Sequence, residues 1–169
     1  MSAQQIILDH DRWRRGVGGA PAGLAGESDA NAYAGLDLDL AQFTSSSFSG
    51  SSFASTTFRE AVWTGCQFSG VTFSTCDLTG ITMTGCSFAN CIFIGSTLDR
   101  NTLQNCTFTA CRWESLTLHN SAWTAVQLLQ CHGSFIEGHD MWGEGVKWDG
   151  SRFKNMHLRN ARINLVMAG

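Results

Sequence analysis

Residues 68–93 read FSGVTFSTCDLTGITMTGCSFANCIF, and this stretch divides into successive units of five residues. Each unit opens with a bulky apolar residue: Phe68, Phe73, Leu78, Met83 and Phe88. The same spacing runs without a slip from Leu38 to Leu128, and it resumes at Trp148. One repeating local structure is therefore expected along most of the chain.

A second series of smaller apolar residues stands two places before each bulky one. In the opening stretch it comprises Val71, Cys76, Ile81, Cys86 and Cys91. Five steps of about 100° around an α-helix end about 140° away from the starting face, so a helix would scatter both series over its whole surface. Strict strand alternation does not give two inward positions in five either. The pattern predicts a short strand and a bend in each unit.

The units FSGVT, FSTCD, LTGIT, MTGCS and FANCI resemble the pentapeptide-repeat family. The resemblance covers roughly three quarters of the chain. It implies an all-β fold, a right-handed quadrilateral parallel β-helix of about six to seven coils, with one pentapeptide on each side of a square coil. Residues 20 positions apart would then stack about 4.8 Å from each other.

Glycine and asparagine recur two places after the bulky residue, for example at Gly65, Gly70, Gly80, Gly85 and Asn90. These residue types tolerate the tight or left-handed backbone of a corner. We therefore predict that every unit turns at this position.

The period divides the chain into three parts. Residues 1–35 are predicted to be an N-terminal arm. Its apolar residues Ile6 to Leu8 and Trp13 are expected to cap the first coil, and the stretch GVGGAPAGLAG that follows them is expected to be flexible. The β-helix is predicted over 36–165, followed by a C-terminal tail over 166–169. The segment 161–167 is expected to close the other end of the coil or to dimerise. Because Gly133, Gly138 and Gly143 replace bulky residues, 131–145 can be either a regular coil or a loop.

All seven cysteines fall in the smaller inward series. We expect three stacked columns in the core: Phe48, Phe68, Phe88 and Phe108; Cys66, Cys86 and Cys106; Cys91, Cys111 and Cys131. The cysteines are predicted to be reduced, small buried groups. There is no CxxC pair, which disfavours a thiolate zinc site.

Two clusters contain side chains suited to chemistry. They are Cys131, His132, Glu137, His139 and Asp140 in the glycine-interrupted segment, and Asp9, His10 and Asp11 near the N-terminus. Neither is accompanied by a nucleophile with its base or by a phosphate-binding loop. We therefore predict no catalytic residue, no metal site and no cofactor.

Charge is sparse and slightly negative. The charged fraction is 15%, the net charge is −3 and the isoelectric point is about 5.9, so direct binding of nucleic acid through phosphate neutralisation is not expected. The N-terminal residues carry no long apolar segment of a signal peptide or membrane span. A cytoplasmic protein without membrane contact is the expectation.

The outward positions predict where a protein partner binds. One side is uncharged over a long run and is our candidate interaction surface: Val62, Thr64, Thr82, Thr84, Thr102, Gln104, Ala122, Thr124 and Trp142. Such a surface also suits a homodimer. The last coil is basic and suits an acidic partner: Lys147, Arg152, Lys154, His157, Arg159 and Arg162.

These features favour a non-enzymatic protein–protein interaction scaffold or adaptor. Proteins similar in repeat occur beside cargo genes of bacterial type VI secretion, and this resemblance suggests that context. The alternative implied by the family is a DNA mimic that binds DNA gyrase and protects it from quinolones or toxins. The acids of the central coils are few for such a mimic. An ice-binding threonine ladder and an enzyme are weaker alternatives.

Overall fold

The computed structural model describes residues 2–166, which form one helix followed by 21 short strands. The helix α1 spans Ala3–Arg14. The strands in chain order are β1 (Gly23–Ala25), β2 (Ser28–Asp29), β3 (Ala32–Ala34), β4 (Gln42–Thr44), β5 (Ser47–Ser49), β6 (Ser52–Ala54), β7 (Val62–Thr64), β8 (Gln67–Ser69), β9 (Thr72–Ser74), β10 (Thr82–Thr84), β11 (Ser87–Ala89), β12 (Ile92–Ile94), β13 (Thr102–Gln104), β14 (Thr107–Thr109), β15 (Arg112–Thr117), β16 (Ala122–Thr124), β17 (Gln127–Leu129), β18 (His132–His139), β19 (Trp142–Lys147), β20 (Arg152–Arg159) and β21 (Arg162–Val166).

All strand pairs are parallel and join neighbouring coils. From the second coil onward the offset is 20 residues, as in the ladder Val62, Thr82 and Thr102. In the last pairing, of β19 with β21, it falls to 19 after a register shift beyond Gly143. Two sides of the coil belong to a 14-stranded sheet, and the third belongs to a seven-stranded sheet with one strand from each coil. The fourth side is held by single bridges from Asp37 to Thr117. The predicted quadrilateral β-helix is therefore confirmed.

The β-structure starts earlier than the predicted boundary at Leu36. Strands β1, β2 and β3 lie within the segment expected to be a flexible arm, and they pair with the second coil. Leu24 and Tyr33 fill inward positions and are buried. The offset from Leu24 to Phe43 is one residue shorter than in later coils, which hid this coil from a search for a strict period.

An aspartate occupies an inward position of the first coil. Asp29 is buried, and its carboxylate accepts hydrogen bonds from the hydroxyls of Tyr33 and Ser51 and from the amide of Asn31. Burial alone would raise the pKa of Asp29, but these donors hold the pKa below its usual value. The carboxylate is thus accommodated by a network that links the first coil to the second.

A left-handed corner occurs at every fifth residue from Gly35 to Asn160. Gly and Asn stand at many of these corners, as predicted. Leu40, Thr75 and Phe135 also adopt positive φ, although side chains of this bulk disfavour that region. The stacked inward residues on both sides fix each corner, so the fold imposes this backbone even where the local sequence opposes it.

Stacked aromatic rings form the centre of the core. The rings of Phe48, Phe68, Phe88 and Phe108 follow each other at centroid separations of 4.9, 4.6 and 4.7 Å and are nearly parallel. All four are almost completely buried. The spacing matches that of the strands which carry them, so side-chain stacking and backbone pairing reinforce each other.

The seven cysteines are all buried and unbonded to each other. Their thiols point toward main-chain carbonyls; that of Cys91, for example, donates to the oxygens of Phe68 and Ala89. Burial raises the pKa of Cys76 to about 11. A thiol with such a pKa stays protonated at neutral pH and behaves as a small core group.

The glycine-containing segment is a regular coil and not a loop. Strand β18 pairs in register with β15 and β20 through Gly133. The rings of Trp113 and Phe153 approach to 5.8 Å across this glycine, although they lie two coils apart. A Cβ at Gly133 would overlap the carbonyl oxygen of Trp113. Large residues on both sides therefore supply the volume that the glycine lacks.

Helix α1 covers the N-terminal end of the core. Its N-terminus is closed by a capping box between Ser2 and Gln5. Of the residues expected to cap the first coil, Ile7 is fully buried, whereas Leu8 and Trp13 are partly exposed. The helix thus seals the end with one face. The predicted tail 166–169 lies outside the described residues, except for the backbone of Val166.

His10 fastens this helix to the first two coils. The Ala22 amide donates to its Nδ1 at 2.8 Å, so Nε2 carries the proton and donates to the Asp39 carbonyl at 2.7 Å. His10 is fully buried. Burial lowers the pKa of the imidazole, and the neutral form fits the arrangement because it offers one acceptor and one donor.

We predict that Phe88→Ala lowers the free energy of unfolding by about 3–5 kcal/mol, because it opens a cavity in the middle of the ring column. Phe135→Ala is the matched control, since this ring is 60% exposed and its loss should change stability by less than about 0.5 kcal/mol. Urea denaturation measures both. Equal losses in the two variants would contradict the assigned packing.

The stability of the protein should also fall as the pH drops below about 6.5, the ordinary pKa of histidine. The unfolded chain then takes up a proton at His10 that the folded chain refuses, so the contribution is complete above this pH and is lost below it. His10→Gln should flatten the slope of unfolding free energy between pH 7.5 and 5.5. An unchanged slope in the His10 variant would sink the idea.

Candidate interaction surfaces

The outward residues of β4, β7, β10, β13, β16 and β19 form one flat side, which we call the threonine face. It comprises Gln42, Thr44, Val62, Thr64, Thr82, Thr84, Thr102, Gln104, Ala122, Thr124, Trp142 and Glu144. The strands stack in register, so the side chains form two straight rows. The rows carry no charge before Glu144.

Two large apolar side chains are exposed on the threonine face, Val62 on the second of its six strands and Trp142 on the last. Val62 is 40% exposed and Trp142 is 47% exposed, whereas Thr82 and Thr102 between them are half-buried by their neighbours in the rows. A shallow depression beside Trp142 is lined by Glu144, Arg162 and Ile163. The structure therefore brings all nine residues of the predicted interaction surface onto one side.

The adjoining side, which we call the serine face, is also uncharged up to Lys147. Its residues lie on β5, β8, β11, β14 and β17: Ser47, Ser49, Gln67, Ser69, Ser87, Ala89, Thr107, Thr109, Gln127 and Leu129. Threonine and serine faces share one continuous 14-stranded sheet. Together they give two neighbouring uncharged sides.

The fourth side, which we call the charged face, has its charges largely paired near the N-terminal end. Arg59 binds the carboxylate of Asp39 at 3.0 Å, and Arg14 of the capping helix reaches Asp37 at 3.2 Å. The amide of Arg59 also donates to Asp39. These contacts link successive coils and the cap, so the acids here serve the fold.

Two histidines stack on the C-terminal half of the charged face. The imidazoles of His119 and His139 lie 4.0 Å apart, and His139 contacts the Asp140 carboxylate at 3.0 Å. Glu137 and His157 line the same small cavity of about 160 Å³. Over residues 2–166, no group of three or more His, Cys, Asp or Glu side chains has the geometry to hold a metal ion.

The fold therefore separates both clusters in part: Glu137, His139 and Asp140 stay together on the charged face, but Cys131 and His132 lie elsewhere. Cys131 points into the core and His132 lies on the third side, away from the charged face. Near the N-terminus, His10 is buried in the cap, while Asp11 accepts hydrogen bonds from Arg15 and from the amide of Asp37. His10 and Asp11 thus make contacts that hold the cap on the first coils.

A family model for pentapeptide repeats matches residues 37–74 and 76–112, with eight copies of the repeat. The central coils of the chain are therefore pentapeptide repeats. The matched residues belong to the central coils, in which the five-residue period is most regular.

Solved structures similar to this chain include QnrB1, Rfr23 and HetL, of which the last two are pentapeptide-repeat proteins. A trypsin-treated variant of QnrB1, a plasmid-mediated fluoroquinolone resistance protein, is 15% identical over 85% of this chain and 91% of its own, with a TM-score of 0.48. Rfr23 from the cyanobacterium Cyanothece is 14% identical over 63% and 64%, with a TM-score of 0.41. HetL from the cyanobacterium Nostoc, involved in heterocyst differentiation regulation, is 16% identical over 89% and 72%, with a TM-score of 0.25.

Comparison with curated proteins found no match. Within residues 2–166, helix α1 is neither long nor apolar enough to cross a membrane, and no other helix is present.

The five-residue pattern did not predict that one aromatic residue, Phe135, is exposed. Phe135 occupies a left-handed corner and leaves 60% of its surface exposed. The signal was available in the sequence, since a phenylalanine stands where Gly or Asn is usual. It adds an apolar point at the edge of the third side.

Proposed function

We propose that this protein is a non-enzymatic protein–protein interaction scaffold or adaptor that works in the cytoplasm, and that the threonine face is the contact surface. The observation that carries the proposal is an uncharged, flat side with an exposed Val62 near one end and an exposed Trp142 at the other. Aromatic residues are enriched in the centres of interfaces, and uncharged side chains cost less desolvation than charged ones.

The size of this face decides how a partner must bind. Six strands at about 4.8 Å give a length of about 29 Å, and a width of about 10 Å makes roughly 300 Å². A specific interface buries about 800 Å² on each partner. We therefore infer that the partner, whether a different protein or a second copy, also contacts the adjoining serine face.

The continuous sheet favours such binding because the surface is already ordered. Strands in register on both uncharged sides fix the backbone before a partner arrives, so little conformational entropy is lost on association. An enzyme fits the fold less well, since stacked side chains fill the interior in which a concave site would form. A link to type VI secretion stays a prediction that no described residue addresses.

The expected result is that Val62→Glu and Trp142→Glu each reduce retention of the native partner at least about tenfold, because a carboxylate must be desolvated in an uncharged contact. Tagged protein is to be used in quantitative affinity purification from the native host. Ser55→Glu, on the exposed corner between the third and fourth sides, is the matched charge control. Partners that are retained equally by all three variants would remove the threonine face as the contact.

The DNA-mimic alternative has less support. Asp39 is bound by Arg14 and Arg59, and Glu114 is bound by Arg112, so these acids are not available to imitate phosphates. Duplex DNA carries one charge per about 1.7 Å of its axis. The outward rows of residues 2–166 have nothing near that density of negative charge.

We accordingly expect that the purified protein neither inhibits gyrase supercoiling nor protects the enzyme from a quinolone. The measurement is a supercoiling assay over a protein titration, with and without the drug. Inhibition that disappears in Asp77→Asn or Asp99→Asn, both on the charged face, would instead establish the DNA-mimic function.

A further inference from the structure

The last strand of the seven-stranded sheet has an open edge. Strand β20 pairs on one side with β18 over its whole length, from Arg152 to Arg159. Among the described residues no strand pairs with its other side, because β21 returns to β19 in the second sheet. An open edge presents a row of backbone donors and acceptors to any extended chain.

The outward row of β20 is basic. Arg152, Lys154, His157 and Arg159 are all exposed. Within residues 2–166, Arg152, Lys154 and Arg159 form no ion pair, in contrast to Arg14 and Arg59 near the other end. Three charges with the same sign thus stand along one edge, and the Asp140 carboxylate lies near one of them, Arg159.

The inward row of β20 is apolar and incompletely covered. Phe153, Met156 and Leu158 pack against the core but stay half-exposed. The corresponding residues of the preceding regular coils, such as Phe93 and Leu98, are almost fully buried. The row therefore has an apolar surface whose burial would be favourable at about 25 cal/mol per Å².

We propose that an extended acidic segment of a partner protein adds to β20 as the next parallel strand. Its outward carboxylates face Arg152, Lys154 and Arg159, and its inward apolar side chains cover Phe153, Met156 and Leu158. This mode of recognition takes affinity from main-chain hydrogen bonds and specificity from alternate side chains. The inference rests on the proposed scaffold function and assigns it a second contact and a partner chemistry.

The charge pattern selects this occupant over two others. A second copy of β20 would bring the same basic side chains opposite each other, which is unfavourable across a strand pair. A nucleic acid would satisfy the charges but would neither continue the strand hydrogen bonds nor cover the apolar row. A strand in which acidic and apolar residues alternate would pair with the basic row, continue the strand hydrogen bonds and cover the apolar row.

The direct test uses a fluorescein-labelled peptide, DLENVELD, which matches Arg152 to Arg159 position by position. Fluorescence polarisation with the full chain should show saturable binding that weakens as salt is raised. The double variant Arg152→Glu/Lys154→Glu should bind this peptide at least about tenfold more weakly. The peptide KLKNVKLK, in which every acidic residue is replaced by lysine, should bind the double variant but not the original protein. Arg100→Glu is the control and should bind DLENVELD normally.

Two further arms separate strand addition from simple charge attraction. A DLENVELD peptide that is N-methylated at its sixth residue keeps every charge but lacks one backbone donor facing β20, because the N–H groups of Asp77 and Thr97 in this register donate to the preceding coil. Its binding should be at least about tenfold weaker. A single-stranded DNA oligonucleotide should not displace DLENVELD. Absence of peptide binding up to about 1 mM, equal binding of the N-methylated peptide, or displacement by the oligonucleotide would each overturn the proposal.

Failure here is distinguishable from failure of the scaffold function. If the peptide does not bind but Val62→Glu still releases the native partner, only the β20 contact is wrong. Sedimentation of the original protein and the double variant tests self-association at this edge. A dimer that is lost in the double variant would show that a second copy occupies β20, and it would overturn the acidic-partner proposal.

Discussion

The structure depends on one constraint, the stacking of identical inward positions from coil to coil. The 20-residue offset places Phe68 between Phe48 and Phe88 at a separation that suits both ring contact and parallel strand pairing. Neither interaction has to be sacrificed for the other. The same constraint explains why corners at Thr75 and Phe135 adopt a backbone that these residues disfavour in isolation. Strain at a corner is outweighed by the two sides that it joins.

Much of this architecture is contained in the five-residue period. The strands, the inward cysteines and the composition of each side all follow once the position of one residue such as Phe88 is assigned. The period also placed the candidate interaction residues from Val62 to Trp142 on one side. Periodicity is informative here because each residue contacts mainly its own equivalents in the neighbouring coils.

Features that depend on different residues in different coils were not predictable in this way. The first coil holds Asp29 only because Tyr33 and Ser51 supply donors to its carboxylate. The coil with Gly133 is regular only because Trp113 and Phe153 meet across it. Such compensation has no sequence period. The open edge of β20 likewise became evident only from the pairing of β21 with β19, although its basic composition was visible beforehand.

The sealing of one end by helix α1 has a consequence for assembly. A solenoid whose two ends were both open would stack head to tail, and such a contact repeats without closing and produces fibres. Here Ile7 and His10 occupy the surface to which a following molecule would have to add. A few turns of helix therefore block growth of that kind, because they cover the N-terminal end of the core.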